Sequence, residues 1–182
     1  MMRNIKNQKA LIVIDMQMMP FIWKDYGGKA IDHEKELLEQ IKLMILNARA
    51  EGAPVFYIMY TEKGESYRAE GKPLWQVHPE IVPEKEDVIV VKYFADSFFE
   101  TDLESKLRES QINQLVLCGV QTEFCVDTTC RCAFSRGFEI ELAEDGHSTY
   151  DSELLRAEQI IQHHNQVLRQ FAAVKPANLI QF

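Results

Sequence analysis

Ala10-Leu11-Ile12-Val13-Ile14-Asp15 is the stretch on which the fold turns. Five consecutive apolar residues, three of them β-branched, read as a strand buried on both faces, and Asp15 ends the run with a charge. The same pattern recurs along the chain. Val55 to Tyr60, Val88 to Val91, Gln114 to Cys118 and Phe138 to Leu142 read as further strands, with a last short one near Ala172–Val174. Helical spacing fills the gaps. Leu37, Leu38, Ile41, Ile45 and Leu46 mark a helix over about 32–49, with Asp32 as its cap and Gly52 at its end. Leu103 and Leu107 mark a short helix, and 123–135 and 152–170 read as two more. Gly119 is read as the stop of the fourth strand.

Strand and helix alternate from end to end, which predicts an α/β/α three-layer sandwich with a mostly parallel, Rossmann-like sheet of about six strands. The 182 residues fit one domain, and neither a repeat nor a linker divides them. The segment from Thr61 to Asp87 stands apart. It is rich in Gly, Pro, Glu and Lys but holds Tyr67, Trp75 and His78, the composition of a binding loop or lid.

Composition excludes several classes. Hydrophobic residues at 46% and charged residues at 26% are the balance of a globular chain. The formal charge is −8 with no Lys/Arg block, which argues against nucleic acid or an anionic membrane as partner. The apolar run at 10–14 is too short for a signal peptide, and nothing approaches the roughly 20 apolar residues of a membrane helix. Cys118, Cys125, Cys130 and Cys132 are too close together to staple distant parts of a fold. Reduced thiols and a cytoplasmic location are therefore expected. Cys130 and Cys132 point different ways on one helix and make no zinc spacing.

In parallel sheets the site lies outside the carboxyl ends of the strands. Asp15, Lys92 and the turn from Gly119 to Cys125 all fall there. Cys125 lies just inside a helix beginning near Thr122, where partial positive charge and a neighbouring ammonium would lower a thiol pKa. Asp15 could take the thiol proton and return it to a leaving amine, while Lys92 keeps the carboxylate ionised. Backbone N–H groups of the tight turn could receive an oxyanion. Around this constellation, Gln17, Phe21, Trp23, Trp75 and His147 are pocket candidates. Asp145 and His147 follow the fifth strand at the same edge, with a hydrogen bond at the next helix as the plainer role.

Three segments carry a resemblance: LIVIDMQ at 11–17, VVKYFADSFFETDL at 90–103 and LVLCGVQTEFCVDTTCRCAFSRGF at 115–138. In order and spacing they resemble the isochorismatase-like cysteine hydrolases, relatives of nicotinamidases and N-carbamoyl amide hydrolases. The resemblance implies an Asp15–Lys92–Cys125 triad and a cis peptide at Val120–Gln121. It also implies an oxyanion hole from the N–H groups of Gln121 and Cys125, and a homodimer or homotetramer. The implied reaction is metal-independent hydrolysis of a C–N bond in a small carboxamide, ureido or carbamoyl compound through a thioester, with no cofactor. Nicotinamidases of this kind carry an Asp-x-His pair and a further His after the second strand. Here 60–81 reads YTEKGESYRAEGKPLWQVHPEI, with His78 alone. Three alternatives stay open: vinyl-ether hydrolysis of the isochorismatase type, thiol redox chemistry pairing Cys125 with Cys130, and a non-catalytic member of the fold.

Overall fold

A computed structural model describes residues 8–182, with side chains from residue 9. Residues 1–7, which precede the short apolar run from which the absence of a signal peptide was expected, lie outside the described residues. Six strands, β1 (Gln8–Ile14), β2 (Val55–Tyr60), β3 (Val88–Lys92), β4 (Ile112–Val120), β5 (Glu139–Ser148) and β6 (Ala173–Lys175), form one sheet in the order β3-β2-β1-β4-β5-β6. Every pairing is parallel. Five α-helices accompany it: α1 (Met18–Ile22), α2 (Glu34–Ala50), α3 (Leu103–Glu109), α4 (Asp127–Ser135) and α5 (Ala157–Val167). The expected α/β architecture is what forms.

Alternation along β1 separates two cores. Leu11 and Val13 pack with Tyr57, Val116 and the apolar face of α2 (Leu37, Ile41). Ala10, Ile12 and Ile14 pack on the other face with Leu103 and Leu107 of α3 and Cys130 and Ala133 of α4. Because both faces are covered, β1 has no polar position between Lys9 and Asp15. No helix among the described residues is long and apolar enough to cross a membrane.

β1 lies between β2 and β4, so the chain runs outward in one direction through β2 and β3 and in the other through β4 to β6. The crevice between the carboxyl ends of β1 and β4 is the switch point at which such sheets place ligands. Gly119 sets the spacing there. It pairs with Ile14, and a Cβ at Gly119 would lie 2.0 Å from the Ile14 carbonyl oxygen. Its φ of +124° also suits glycine. Gly119 therefore does not stop β4, contrary to the expectation from sequence; it lets β4 lie close against β1 at Ile14 and continue to Val120, which pairs with β5.

Other boundaries shift for local reasons. Asp32 does not cap α2: His33 occupies the cap position at φ +47°, without a side-chain cap bond. Leu46 on α2 faces outward. β5 runs to Ser148 because its register against β4 jumps between Leu117 and Gly119, so the chain bulges through Ala143–Gly146 and rejoins the sheet at His147. The Asp145 carboxylate accepts the Ala177 N–H at 2.7 Å, tying the bulge to the C-terminal segment. The last long helix begins at Ala157, five residues later than expected. The Ser152 hydroxyl accepts the N–H groups of Leu154 and Leu155, and Asp151 accepts that of Ala157, so a turn replaces the first helical residues. α1 and the 3₁₀ turn Trp23–Tyr26 were not anticipated.

Candidate active site

Three strand ends converge. Asp15, one residue past β1, is a non-glycine residue in left-handed backbone (φ +53°), held there by its N–H to the Ile58 carbonyl at 2.9 Å and its own carbonyl to the Gln17 N–H at 2.8 Å. Such a conformation costs about 1–3 kcal/mol and persists where surrounding bonds over-determine it. Lys92 closes β3, two strands away, and is fully buried. Its ammonium lies 3.1 Å from Asp15 Oδ2 and donates to the Ala95 carbonyl at 3.1 Å. The result is a buried ion pair. Removing either partner alone would leave an uncompensated charge in the fold.

Cys125 completes the group. The residues after β4 form a π turn, Thr122–Val126, before α4 begins, and the Gln121 carbonyl accepts N–H groups from Phe124 (3.2 Å) and Val126 (3.1 Å). The Val120–Gln121 peptide bond is cis. The thiol lies close enough to both Asp15 and Lys92 for each to act on it electrostatically. Asp15 Oδ1 is buried without a well-formed hydrogen bond of its own, so one lone-pair direction of the carboxylate stays open.

The thiol differs from its sequence expectation. Burial pushes its pKa up, to about 12, with the Asp15 carboxylate adding to the rise and Lys92 opposing it. The Lys92 cation is shared with Asp15, so its pull on sulfur does not overcome desolvation. At neutral pH the resting group is the thiol and not the thiolate. The arrangement is suited to proton transfer from sulfur to oxygen when an electrophile arrives.

Cys125 opens on a cavity of about 350 Å³ whose walls include Asp15, Tyr60, Arg68, Phe94, Gln121 and Cys125. Behind the turn runs a strut. Asn165 donates its amide to the Glu144 carbonyl at 2.9 Å, which aims its oxygen at His147 Nε2, 3.0 Å away. His147 therefore carries its proton on Nε2, and Nδ1 accepts the Thr122 hydroxyl at 2.9 Å. Burial pushes the His147 pKa down, to about 4, and keeps the ring neutral. Thr122 opens the π turn that holds Cys125, so this chain of bonds fixes the turn from below.

The pocket candidates fare unequally. His147 is buried in that strut and does not line the Cys125 cavity. Gln17 is buried with its amide fully engaged: it donates to the Tyr60 and Trp75 carbonyls and accepts the Tyr60 N–H, which pins the loop after β2 to the strand end. Phe21 is buried in the core, its ring 4.8 Å from His78. Trp75 packs against the same core cluster. Trp23 lines a cavity, but a neighbouring one. Among the described residues no group of three or more His, Cys, Asp or Glu side chains could hold a metal ion. His78 accepts the Glu80 N–H. Cys130 is fully buried in the core under α4, beyond reach as a resolving thiol, and all four cysteines are free.

Arg68 was missed. It lies in the long loop after β2, stacks 4.5 Å over the Tyr60 ring and pairs with Glu62 at 3.3 Å. Tyr60, Phe94 and Phe124 at the cavity wall were missed as well. A signal existed for Phe94, two residues past Lys92. For Arg68 none did, since a cation in a Gly- and Glu-rich loop reads as a solvated charge.

Comparison with known proteins agrees with this fold. The sequence model of the Isochorismatase domain matches residues 9–172. The isochorismatase family protein YddQ of Bacillus subtilis is 30% identical over 148 residues, covering 77% of this chain and 77% of that protein. A streptothricin hydrolase of Streptomyces noursei is 31% identical over 147 residues, covering 81% of this chain but only 57% of that protein. Among solved structures, an isochorismatase-family protein from Oleispira antarctica superposes with a TM-score of 0.89 at 26% identity, over 97% of each chain.

Proposed function

The chain belongs to the isochorismatase family of hydrolases, and from that premise we propose that it cleaves a C–N bond of a small carboxamide, ureido or carbamoyl compound with Cys125 as nucleophile. One observation carries the reading: a buried Asp15–Lys92 ion pair touching a thiol that faces a cavity at the sheet's switch point. Asp15 takes the Cys125 proton as sulfur attacks the substrate carbonyl carbon. The carbonyl oxygen, now an oxyanion, is received by the backbone N–H groups of Gln121 and Cys125. The C–N bond breaks, the proton held on Asp15 passes to the departing nitrogen, and a thioester remains on Cys125. Asp15 then deprotonates a water molecule that attacks the thioester; the carbonyl collapses, and the proton returns to sulfur. Lys92 holds Asp15 in place through their ion pair.

Redox chemistry has no structural support, because Cys130 is sealed in the core and neither Asp15 nor Lys92 has a part in it. The test is ammonia release from a panel of small primary amides by the wild type and by Cys125→Ala. The expected result is turnover by the wild type and none by the variant at an unchanged circular-dichroism spectrum. Turnover retained without the thiol would end the nucleophile assignment.

A further inference from the structure

Beside the Cys125 cavity lies a larger one, about 600 Å³, walled by Met19, Ile22, Trp23, Tyr26, Pro73 and Leu74 with Arg68 at one side. A narrow space of about 20 Å³ lies between them, bordered by Asp15, Pro20, Tyr60, Met19 and Leu74. Arg68 borders all three spaces. The narrow space thus shares Asp15, Pro20 and Tyr60 with the reaction cavity and Met19 and Leu74 with the larger one. The two chambers are neighbours across the Arg68 guanidinium and the Leu74 side chain.

Both volumes fall in the range of small-molecule sites, and their characters differ. The reaction cavity holds the charged residues and the turn. The second chamber is built from aliphatic and aromatic side chains, two of them on the 3₁₀ turn after α1 and two on the 3₁₀ turn Pro73–Trp75. Arg68 does not make it cationic, because Glu62 on the same wall pairs with the guanidinium. A neutral apolar group is what such walls desolvate at least cost.

We propose that the second chamber is the substrate's tail subsite: the preferred substrate is an amide or ureido compound whose carbonyl carries a flat apolar group of aromatic size, threaded past Arg68 and Leu74. This deepens the C–N hydrolase reading and rests on it. Arg68 is the divider, its guanidinium carbon 4.5 Å from the Tyr60 ring centroid and its side chain bordering both chambers. Leu74 is the threshold, and a larger side chain there closes the passage.

The test compares kcat/KM for 3-phenylpropionamide and propionamide in the wild type and in Leu74→Trp, alongside ligand-observed NMR binding of 3-phenylpropionate, the acid product of the tailed amide. The wild type is expected to favour the tailed amide by about tenfold or more and to bind 3-phenylpropionate. In Leu74→Trp the ratio should fall toward one and binding should be lost. Equal kcat/KM for both amides in the wild type, with no probe binding, overturns the subsite and leaves the C–N chemistry standing. Probe binding that Leu74→Trp abolishes, with neither amide cleaved, keeps the chamber and removes the amide reading. Binding that is indifferent to Leu74→Trp places the probe elsewhere and also overturns the subsite.

Discussion

Two segments leave the carboxyl edge of the sheet beside β1, and they are built on opposite principles. After β4 the chain is short and fully tied. The turn Thr122–Val126 is held from below by Thr122, His147 and Asn165, and Glu123 accepts the Thr149 hydroxyl at 2.9 Å. After β2 the chain runs from Thr61 to Asp87 with two 3₁₀ turns, anchored at separate points by Gln17, by the Met18 N–H to the Gln76 carbonyl, by the His78 N–H to the Met16 carbonyl and by Arg49 at Glu84 and Asp87, with local bonds such as that of Thr61 to the Arg68 carbonyl between them. The first segment fixes one sulfur atom against one carboxylate. The second lays aliphatic, aromatic and guanidinium side chains around the space in front of it. Chemistry and selectivity are therefore assigned to different loops, and changes in the two should be separable.

The largest effect is expected on the tied side. Lys92→Met leaves Asp15 buried without its cation, a change of the kind that costs about 3–5 kcal/mol. Urea denaturation should show that loss, and hydrolysis should disappear with it. Unaltered stability would mean that the ion pair is not the buried unit described. Next comes the strut. Thr122→Val leaves His147 Nδ1 without a donor at a cost of about 1–3 kcal/mol. Because the turn loosens under the nucleophile, kcat should fall about tenfold while KM changes little. A rise in KM alone would move Thr122 to the substrate-binding side of the comparison.

The smallest effect is a pH dependence. The folded His147 pKa lies near 4, below the ordinary value of about 6.5 that the ring takes in the unfolded chain. The unfolded state then binds the extra proton between those values. The stability that neutral His147 contributes is complete above about pH 6.5 and is lost as pH falls from there toward 4. Thermal unfolding at pH 7 and pH 5 should show the decrease, and His147→Asn should reduce it. An equal decrease in that variant would assign the acid sensitivity to other groups.

The same contrast governs what could be read from sequence. Asp15 and Lys92 were legible in combination, because each ends an apolar run at the same sheet edge; either alone reads as an ordinary strand-end charge. Cys125 was legible from its place after Gly119 on a strand-to-turn segment. The direction of its pKa was not, because helix position and a neighbouring ammonium can be inferred along a chain while burial cannot. His147 was found, and its plainer expected role, a hydrogen bond at the next helix, is the one it plays through Asn165 of α5; nothing local reveals that β5 bulges and also turns the ring toward Thr122. Phe21 and Trp75 illustrate the usual fate of aromatics, which is packing. Arg68 stayed invisible because its significance lies in stacking on Tyr60 between two cavities, a relation set by how a 27-residue loop folds back (Thr61–Asp87).

The central claim is that Asp15 receives the proton of a thiol whose pKa burial raises and Asp15 raises further. Asp15→Asn separates those two roles. The pH profile of iodoacetamide alkylation at Cys125, read by peptide mass spectrometry, should shift to lower pH once the carboxylate is gone. Ammonia release from the same protein should fall by about a hundredfold to ten-thousandfold. An alkylation profile that does not move, together with turnover that survives, would contradict the account.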